Sequence, residues 1–385
     1  MRLLALVLVV CASLFAQLPP KEAADGWIQL FDGETLFGWS EEGTAKWKVE
    51  GGALTFDAGQ VGWLRNNTVF ADYILKLELR TKKGGNSGLF VRSAKGNEPH
   101  VSGYEIQIWD DNPKFPTGSL VNHVTAKKAT LKADQWNTYE VRIEGDHFQV
   151  TLNGKKILDA RDPKSKAGYI GLQANKDKIE FRNIKLKPLG AKPLFNGKSL
   201  AGWKVIQPPK PPKEPAEWTA KSGAINVVKG GGQLETEGRY DNFVLQLDIR
   251  TNPKDANHHP NSGVFLRGEP DTYWNGYEVQ IRNEYKAGDR TQPVDWGTGA
   301  IYNRVATRKV VTDDGAFFAE TIVAHGKHFS VWLNGYQVTD WEDPRPEGDN
   351  PRQNARVSAG AISLQAHDPT TNLDFKNLRL AALPK

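Results

Sequence analysis

Two short segments of the chain place an acid, amides and an arginine at matching positions. NSGLFVR (86–92) returns as NSGVFLR (261–267), and GYEIQI (103–108) returns as GYEVQI (276–281). A carboxylate can move a proton, a guanidinium can bind a carbonyl or anionic oxygen, and amides can bind hydroxyl groups. The two segments therefore predict a site, encoded twice, for a ligand rich in hydroxyl groups.

Period-two alternation assigns these polar side chains to one face of a sheet, opposite an apolar face. We expect Arg92 to share that face with Glu105, and Arg267 to share it with Glu278. The other expected members are Asn86, Gln107, Trp109 and Gln173 in the first half and Asn261, Gln280, Tyr302, Gln365 and His367 in the second. A hollow polar face with an aromatic floor suits carbohydrate, and the glycine in each heptapeptide would let a ligand approach closely. The alternative is that both halves retain a stabilising Arg–Glu ion pair.

The whole chain is an internal duplication. LFDGETLFGW (30–39) returns as LFNGKSLAGW (194–203), and further paired landmarks follow in the same order in both halves. A period of this length indicates two complete domains in tandem, which we place at 25–189 and 190–385. The boundary is short, so the domains are expected to touch.

The local pattern is β throughout. YILKLELRT (73–81) and FVLQLDIRT (243–251) alternate apolar and polar residues, and each half has an Asn-Gly pair typical of a tight hairpin. The chain has no convincing amphipathic helix of ten residues. These patterns predict an all-β fold with a two-sheet sandwich or jelly roll in each domain.

Composition and the N-terminus limit the functional classes. The 385 residues carry a net charge of +5 without a clustered basic run, so nucleic-acid binding is not expected. The start, MRLLALVLVVCASLFAQ, is typical of a signal peptide, which we assign to 1–24, and predicts export to a periplasm, a cell surface or the medium. No transmembrane segment is expected after cleavage. Cys11 is the only cysteine, so the mature chain has no disulfide, and lipidation at Cys11 stays open.

Other reaction chemistries have little support. The sequence lacks a serine elbow, an HExxH zinc motif and a phosphate-binding glycine loop. Asp110–Asp111 are a candidate site for a divalent cation such as calcium, although the sequence establishes no cofactor. His258–His259 are either a metal-binding or catalytic pair or part of a polar loop.

Taken in order, the motifs resemble the 3-keto-disaccharide hydrolase domain family. The resemblance rests on LFDG…GW, NSG-F-R, GYE-QI, the LNG hairpin and the ending G-I-LQ followed by FRNI or F-N-L, and it covers almost the whole mature chain twice. It implies a concanavalin A-like jelly roll of the kind found in laminarinase-type glycosidases. It also implies cleavage of a glycosidic bond in a sugar already oxidised at C3, by hydrolysis or by elimination.

The resemblance implies roles for the repeated residues. A ketone at C3 acidifies the C2 proton, so a base can remove it and the C1 substituent can leave. Glu105 and Glu278 would be the base or would accept substrate hydroxyls, while the Gln107 and Gln280 amides fix hydroxyls. The two arginines named above would polarise the carbonyl or stabilise the enediolate.

The second domain matches the family more closely. His367 corresponds to the histidine that the family often carries after its LQ pair, whereas the first domain has Asn175 there. We therefore expect catalysis in the second domain and a carbohydrate-binding relative in the first. Two alternatives remain: a non-catalytic tandem sugar-binding protein, and a structural surface protein whose polar faces are buried between the domains.

Overall fold

The computed structural model describes residues 18–96, 98–210 and 212–385, so most of the predicted signal peptide lies outside the described residues. Its last part includes helix α1 (Pro20–Ala24), whose Glu22 forms an ion pair with Lys185 at 2.7 Å. A second helix, α2, spans Pro99–Ser102. Within these described ranges neither helix is long or apolar enough to cross a bilayer.

The first domain consists of two antiparallel sheets. The larger sheet has the order β11-β10-β9-β6-β13-β4-β3, with β1 beside β13, and the smaller has the order β2-β5-β12-β7-β8. In chain order the strands are β1 (Ile28–Gln29), β2 (Trp39–Gly43), β3 (Trp47–Glu50), β4 (Ala53–Phe56), β5 (Val61–Asn66), β6 (Tyr73–Thr81), β7 (Ser87–Ser93), β8 (Tyr104–Ile108), β9 (Asn137–Glu144), β10 (His147–Leu152), β11 (Lys155–Arg161), β12 (Tyr169–Asn175) and β13 (Ile179–Pro188).

The second domain repeats this arrangement strand for strand. Its larger sheet has the order β16-β17-β26-β19-β22-β23-β24, with β14 beside β26, and its smaller sheet has the order β15-β18-β25-β20-β21. The strands are β14 (Lys192–Pro193), β15 (Trp203–Ile206), β16 (Glu217–Lys221), β17 (Ala224–Val228), β18 (Gly232–Thr236), β19 (Phe243–Thr251), β20 (Ser262–Gly268), β21 (Tyr277–Ile281), β22 (Phe318–His325), β23 (His328–Leu333), β24 (Tyr336–Glu342), β25 (Ala361–Ala366) and β26 (Asn372–Ala382). A 3-10 turn spans Lys286–Gly288. The predicted all-β fold of two tandem sandwiches is confirmed.

Each sandwich buries one face of each sheet. In β6 the burial alternates along the strand, with Leu75, Leu77 and Leu79 almost fully buried and the intervening residues partly exposed. Ile106 and Leu172 of the smaller sheet belong to the same core. The opposite, outer face of each smaller sheet is therefore free to carry polar side chains.

The two domains touch through the outer face of the second domain's larger sheet. Trp332 of β23 is fully buried, donates its indole N–H to the Gln29 carbonyl at 2.9 Å, and packs near Phe70 of the first domain. The Ser330 hydroxyl lies 2.8 Å from the Thr68 hydroxyl. The polar faces with Glu105 and Glu278 belong to the smaller sheets, so the alternative in which they are buried between the domains is wrong.

Candidate functional site

A β-bulge interrupts the alternation in each heptapeptide. Phe90 pairs with Gly171 and Ser93 with Tyr169, so two residues on β7 oppose one on β12, and Arg92 has a φ of 52°. The same shift occurs in β20, where Arg267 has a φ of 53°. A bulge re-aims the side chain that follows it. The arginines therefore leave the face that strict alternation predicts.

The guanidinium groups of both arginines lie inside the sandwich ends. Arg92 is 1% exposed and donates to the carbonyls of Ala71, Gly145 and Ser165 and to the Asp72 carboxylate, at 2.7–2.9 Å. Its ion-pair partner is thus Asp72 and not Glu105.

Arg267 repeats this arrangement and is fully buried. It donates to the carbonyls of Asp241, Gly326 and Arg356 at 2.6–2.8 Å, and its guanidinium lies over the Phe329 ring. The prediction that Arg92 and Arg267 share a polar face with the glutamates is therefore wrong. Both arginines tie loops to the sandwich through main-chain carbonyls, and their burial keeps them from contact with a substrate carbonyl on the outer face.

The two glutamates do lie on the predicted outer faces. Glu105 pairs with Phe90 across β7 and β8, and Glu278 pairs with Phe265 across β20 and β21. Each is less than 10% exposed, and burial raises the pKa of each to about 7. A carboxyl group with a pKa near 7 is suited to proton transfer at neutral pH.

The neighbouring glycines make room for these carboxyl groups. A Cβ added to Gly88 would lie 2.5 Å from Glu105 Oε1, and one added to Gly263 would lie 2.8 Å from Glu278 Cγ. In this structure the side chain of the glutamate occupies the space above each glycine. The glycine thus fixes the position of the acid, a role different from the close ligand approach that we expected.

The second domain encloses a cluster of polar atoms around Glu278. Within the described residues five of them have no hydrogen-bond partner: Glu278 Oε2, Gln280 Oε1, Asn261 Oδ1, Gln365 Oε1 and Arg352 Nη2. Native proteins pair most buried polar atoms, and each unpaired one costs about 1–3 kcal/mol. Such a concentration at one place calls for a functional explanation.

Asp295 fixes the orientation of two of these amides. Its Oδ2 accepts hydrogen bonds from Asn261 Nδ2 at 3.1 Å and Gln280 Nε2 at 3.0 Å. Because both amide nitrogens are used in this way, the amide oxygens point elsewhere. The face therefore presents acceptors to any ligand that brings hydroxyl donors.

Arg352 and Trp274 cover the carboxyl group of Glu278. Arg352 Nη2 lies 3.7 Å from Glu278 Oε2, and its guanidinium stacks on the Trp274 ring at 4.6 Å and lies 5.4 Å from the Phe265 ring. Arg352 Nε also donates to the Trp274 carbonyl, and Trp274 itself is 49% exposed. Burial is the main reason that the pKa of Glu278 is raised, and the Arg352 charge acts in the opposite direction.

The remaining predicted residues of the second domain lie at the rim of this cluster. The Tyr302 backbone N–H donates to the Glu278 carbonyl, and its ring meets Trp296 edge-on at 6.2 Å. His367 Nδ1 lies 3.0 Å from Asp368 Oδ2, and the His367 ring is one of the groups that act to lower the pKa of Glu278. Both side chains lie near Glu278, as predicted.

The first domain has a different surface at the matching place. Gln173 donates to Glu105 Oε1 at 3.1 Å, whereas Gln107 accepts the Ile108 N–H. The Trp63 indole fills the position that Gln233 holds in the second domain, packing so closely on Gly171 that an added Cβ would lie 2.0 Å from the ring. The face of the first domain is thus more apolar and more completely filled.

Two predicted members of the first-domain site lie apart from these contacts. Asn86 is half-buried just before β7, and its backbone N–H donates to Asp177. Trp109 is half-buried just after β8, and its carbonyl accepts the Asn112 N–H. Neither contact connects them to Glu105.

Sequence reasoning missed the groups that come from insertions in the second domain. Asp295 and Trp296 lie in a segment that lengthens the connection after β21, and Arg352 lies in a segment that lengthens the connection before β25. Trp274 lies just before β21 and has a φ of 54°, which is unusual for a tryptophan. These residues could have been found from the sequence by looking for the segments that are longer in the second half than in the first.

The histidine pair and the acidic pair have contacts of their own. His259 Nδ1 lies 2.6 Å from Asp314 Oδ2, which fits the polar-loop interpretation. Asp110 accepts hydrogen bonds from Thr117 and from the Leu131 N–H. In the described part of the chain no three His, Cys, Asp or Glu side chains form a group that could hold a metal ion. The cation site at Asp110–Asp111 stays a prediction.

Fold and site together define a class of protein: two tandem β-sandwich domains, of which the second has a buried glutamate among amide oxygens that lack hydrogen-bond partners in the residues that the structure describes. The chain belongs to the 3-keto-alpha-glucoside-1,2-lyase-like domain family, whose model matches residues 26–187 and again residues 190–381. The resemblance inferred from the motifs is confirmed, together with the jelly-roll fold.

Named relatives are distant. A 3-keto-disaccharide hydrolase of Bacteroides thetaiotaomicron is 25% identical over 231 residues, which cover 43% of this chain and 79% of that protein. A proposed glycosyl hydrolase of Parabacteroides distasonis is 20% identical with a TM-score of 0.41, covering 45% of this chain and 98% of the other. The carbohydrate-binding module CBM66 of Bacillus subtilis is 22% identical with a TM-score of 0.32, covering 39% and 95%. Matches to structures at this distance do not indicate an activity.

Proposed function

We propose that the second domain cleaves glycosides whose C3 hydroxyl has been oxidised to a ketone, with Glu278 as the general base. The observation that carries this proposal is the enclosed set of unpaired amide oxygens on Gln280, Gln365 and Asn261 around the acid. Sugar hydroxyls are donors that would pair with them. The family description and the name of the Bacteroides relative support a 3-keto sugar as the substrate.

The chemistry needs one base and balances without a redox partner. Ionised Glu278 takes the C2 proton, and the C2–H electron pair forms a C2–C3 double bond while the carbonyl pair moves to the C3 oxygen. When the carbonyl re-forms, a C1–C2 double bond forms, the C1–O bond breaks, and the departing oxygen takes the proton that Glu278 had removed, which regenerates the carboxylate. Addition of water across C1–C2 then gives the hydrolysed keto sugar.

A conventional glycosidase mechanism has less support. It needs two carboxyl groups about 5–10 Å apart. Glu235 shares the outer face with Glu278, but it lies on β18, three strand positions from β21, or about 14 Å at the usual strand spacing. Asp295 is the other acid of the cluster, but its Oδ2 already accepts hydrogen bonds from Asn261 and Gln280, whereas Glu278 Oε2 has no hydrogen-bond partner in the described residues. Glu278 is therefore the better placed base, and this arrangement fits proton abstraction next to a ketone better than paired acid catalysis.

Substitution of the two glutamates in the full-length protein tests the proposal. We expect Glu278→Gln to lower kcat on a 3-keto-disaccharide by roughly 10³-fold, because an amide cannot accept the C2 proton. Glu105→Gln is the matched control, since Glu105 has the same register and a similarly raised pKa, and it should keep most of the activity. Release of the free sugar is the measurement.

The competing outcomes are distinct. Equal loss from both substitutions would place catalysis in both domains, and loss from Glu105→Gln alone would overturn the assignment to the second domain. Binding of the keto-disaccharide without turnover would instead favour the non-catalytic tandem sugar-binding protein. We also propose that the protein is exported, which N-terminal sequencing of the mature chain would test.

A further inference from the structure

The pair formed by Arg352 and Glu278 has an unusual geometry. The 3.7 Å between Arg352 Nη2 and Glu278 Oε2 is longer than a hydrogen bond, and among the described residues neither of these enclosed atoms has a hydrogen-bond partner. A guanidinium beside a carboxylate normally closes to a short, often bidentate contact. A ligand oxygen placed between the two atoms would lie within hydrogen-bond distance of both.

The rest of the Arg352 side chain is held in place. Its guanidinium lies on the Trp274 ring, Nε donates to the Trp274 carbonyl at 3.2 Å, and the Arg352 carbonyl accepts a hydrogen bond from Arg304 at 2.7 Å. These contacts fix the position of the arginine beside Glu278. The one enclosed donor that they leave unused, Nη2, is next to the acid.

We propose that Arg352 is the electrophilic residue of the site, whose Nη2 donates a hydrogen bond to the substrate oxygen that becomes negatively charged when Glu278 removes the neighbouring proton. This inference rests on the proposed function and assigns to Arg352 the role that the sequence had assigned to Arg267. No bond to Arg352 forms or breaks, and the proton goes to Glu278. The positive charge stabilises the enediolate oxygen, which forms only in the transition state and the intermediate.

The same arrangement explains why catalysis would be confined to one domain. Arg352 comes from the segment between β24 and β25, which is longer than the corresponding segment between β11 and β12. In the first domain the group next to Glu105 is an amide, since Gln173 Nε2 donates a hydrogen bond to Glu105 Oε1. The first domain keeps an acid of similar pKa but has a different partner beside it.

The test compares Arg352→Gln and Arg352→Lys in the full-length protein. Loss of a donor to a developing oxyanion typically costs 10²–10³-fold in kcat, so we expect a fall of about this size for Arg352→Gln with KM changed by only a few fold. Arg352→Lys should recover part of kcat, because it keeps the charge. Arg182→Gln is the matched control, since Arg182 also stacks on a tryptophan (Trp136, 3.9 Å) and pairs with a glutamate (Glu78, 2.7 Å).

A second measurement does not depend on turnover. Carbon NMR of the Glu278 carboxyl should show its pKa raised in Arg352→Gln relative to the wild type, because a neighbouring positive charge is lost. Calorimetry then measures the affinity of the wild type and of Arg352→Gln for the keto-disaccharide. Normal wild-type turnover with an unchanged kcat and an unchanged Glu278 titration in Arg352→Gln would overturn the role of Arg352 while leaving the proposed function intact. A wild-type protein that neither turns over nor binds the keto-disaccharide would overturn both.

Discussion

Glu278 is held between two opposing influences. Removal from water raises its pKa, and the Arg352 charge, a hydrogen bond from Trp274 and the nearby His367 ring act to lower it, with the result that the pKa is about 7. The groups whose charges act on it or are acted on by it are Arg352, His367, Asp295, Tyr273 and Tyr302. This balance keeps a large ionised fraction at neutral pH in a setting where a bare carboxylate would be disfavoured.

The rate should therefore depend on pH in one direction. Only ionised Glu278 can accept a proton, so we expect kcat/KM for a 3-keto-disaccharide to rise about tenfold per pH unit below pH 7 and to level off above it. A profile measured from pH 5 to pH 9 checks this. A plateau that extends down to pH 5 would contradict the assignment of Glu278 as the base.

At the level of residues, the sequence was enough to identify the acid and its amides but not the arginine. Period-two alternation placed Glu278 and Gln280 correctly because β21 is regular. It failed for Arg267 because the bulge adds one residue and turns the side chain to the opposite side. Arg352 had no counterpart in the first half, so comparison of the two halves could not indicate it.

At the level of elements, the bulges of β7 and β20 serve stability. Each sends an arginine between the ends of the two sheets, where it binds the carbonyls of three separate loops. A regular strand would have directed the same side chain outward. The arginine of the repeated heptapeptide thus has a structural role in both halves of the chain, while the proposed base lies on the neighbouring strand.

Replacing one of these staples should weaken the fold and spare the chemistry. Arg267→Met leaves three buried carbonyls without their donor, and we expect it to lower the free energy of unfolding by roughly 3 kcal/mol or more. Urea denaturation measures this effect, and Arg92→Met is the matched variant in the first domain. The kcat of folded Arg267→Met should stay within a few fold of the wild type; a hundredfold fall in a fully folded sample would return Arg267 to the catalytic set.

At the level of the whole molecule, the two domains form one unit. Val244, Val323 and Trp332 lie on the outer face of the second domain's larger sheet, yet they belong to the hydrophobic core cluster of the first domain. Arg308 adds a 3.0 Å ion pair to Asp32 across the boundary. The short boundary predicted that the domains touch. The alternation of the strands did not show that contact is made through the outer face of the second domain's larger sheet, because that face is apolar only where the first domain covers it.

Loss of the Trp332 side chain should allow the two domains to unfold independently. We expect the wild type to unfold in a single calorimetric transition, and Trp332→Ala to cost about 3–5 kcal/mol and to split or broaden it. Trp136→Ala is the control, because Trp136 is half-buried and stacks on Arg80 and Arg182 within the first domain. Two transitions in the wild type would show that the interface contributes little.

The contact between the domains is head-to-tail, and contacts of that kind can in principle be repeated without end. The matching surface of the first domain prevents this. Where the second domain has Val323, Thr321 and Trp332, the first has Arg142, Glu140 and Thr151 on strands of the same register. This charged surface does not match the apolar one that contacts the first domain, so we expect the stacking through this surface to end at two domains.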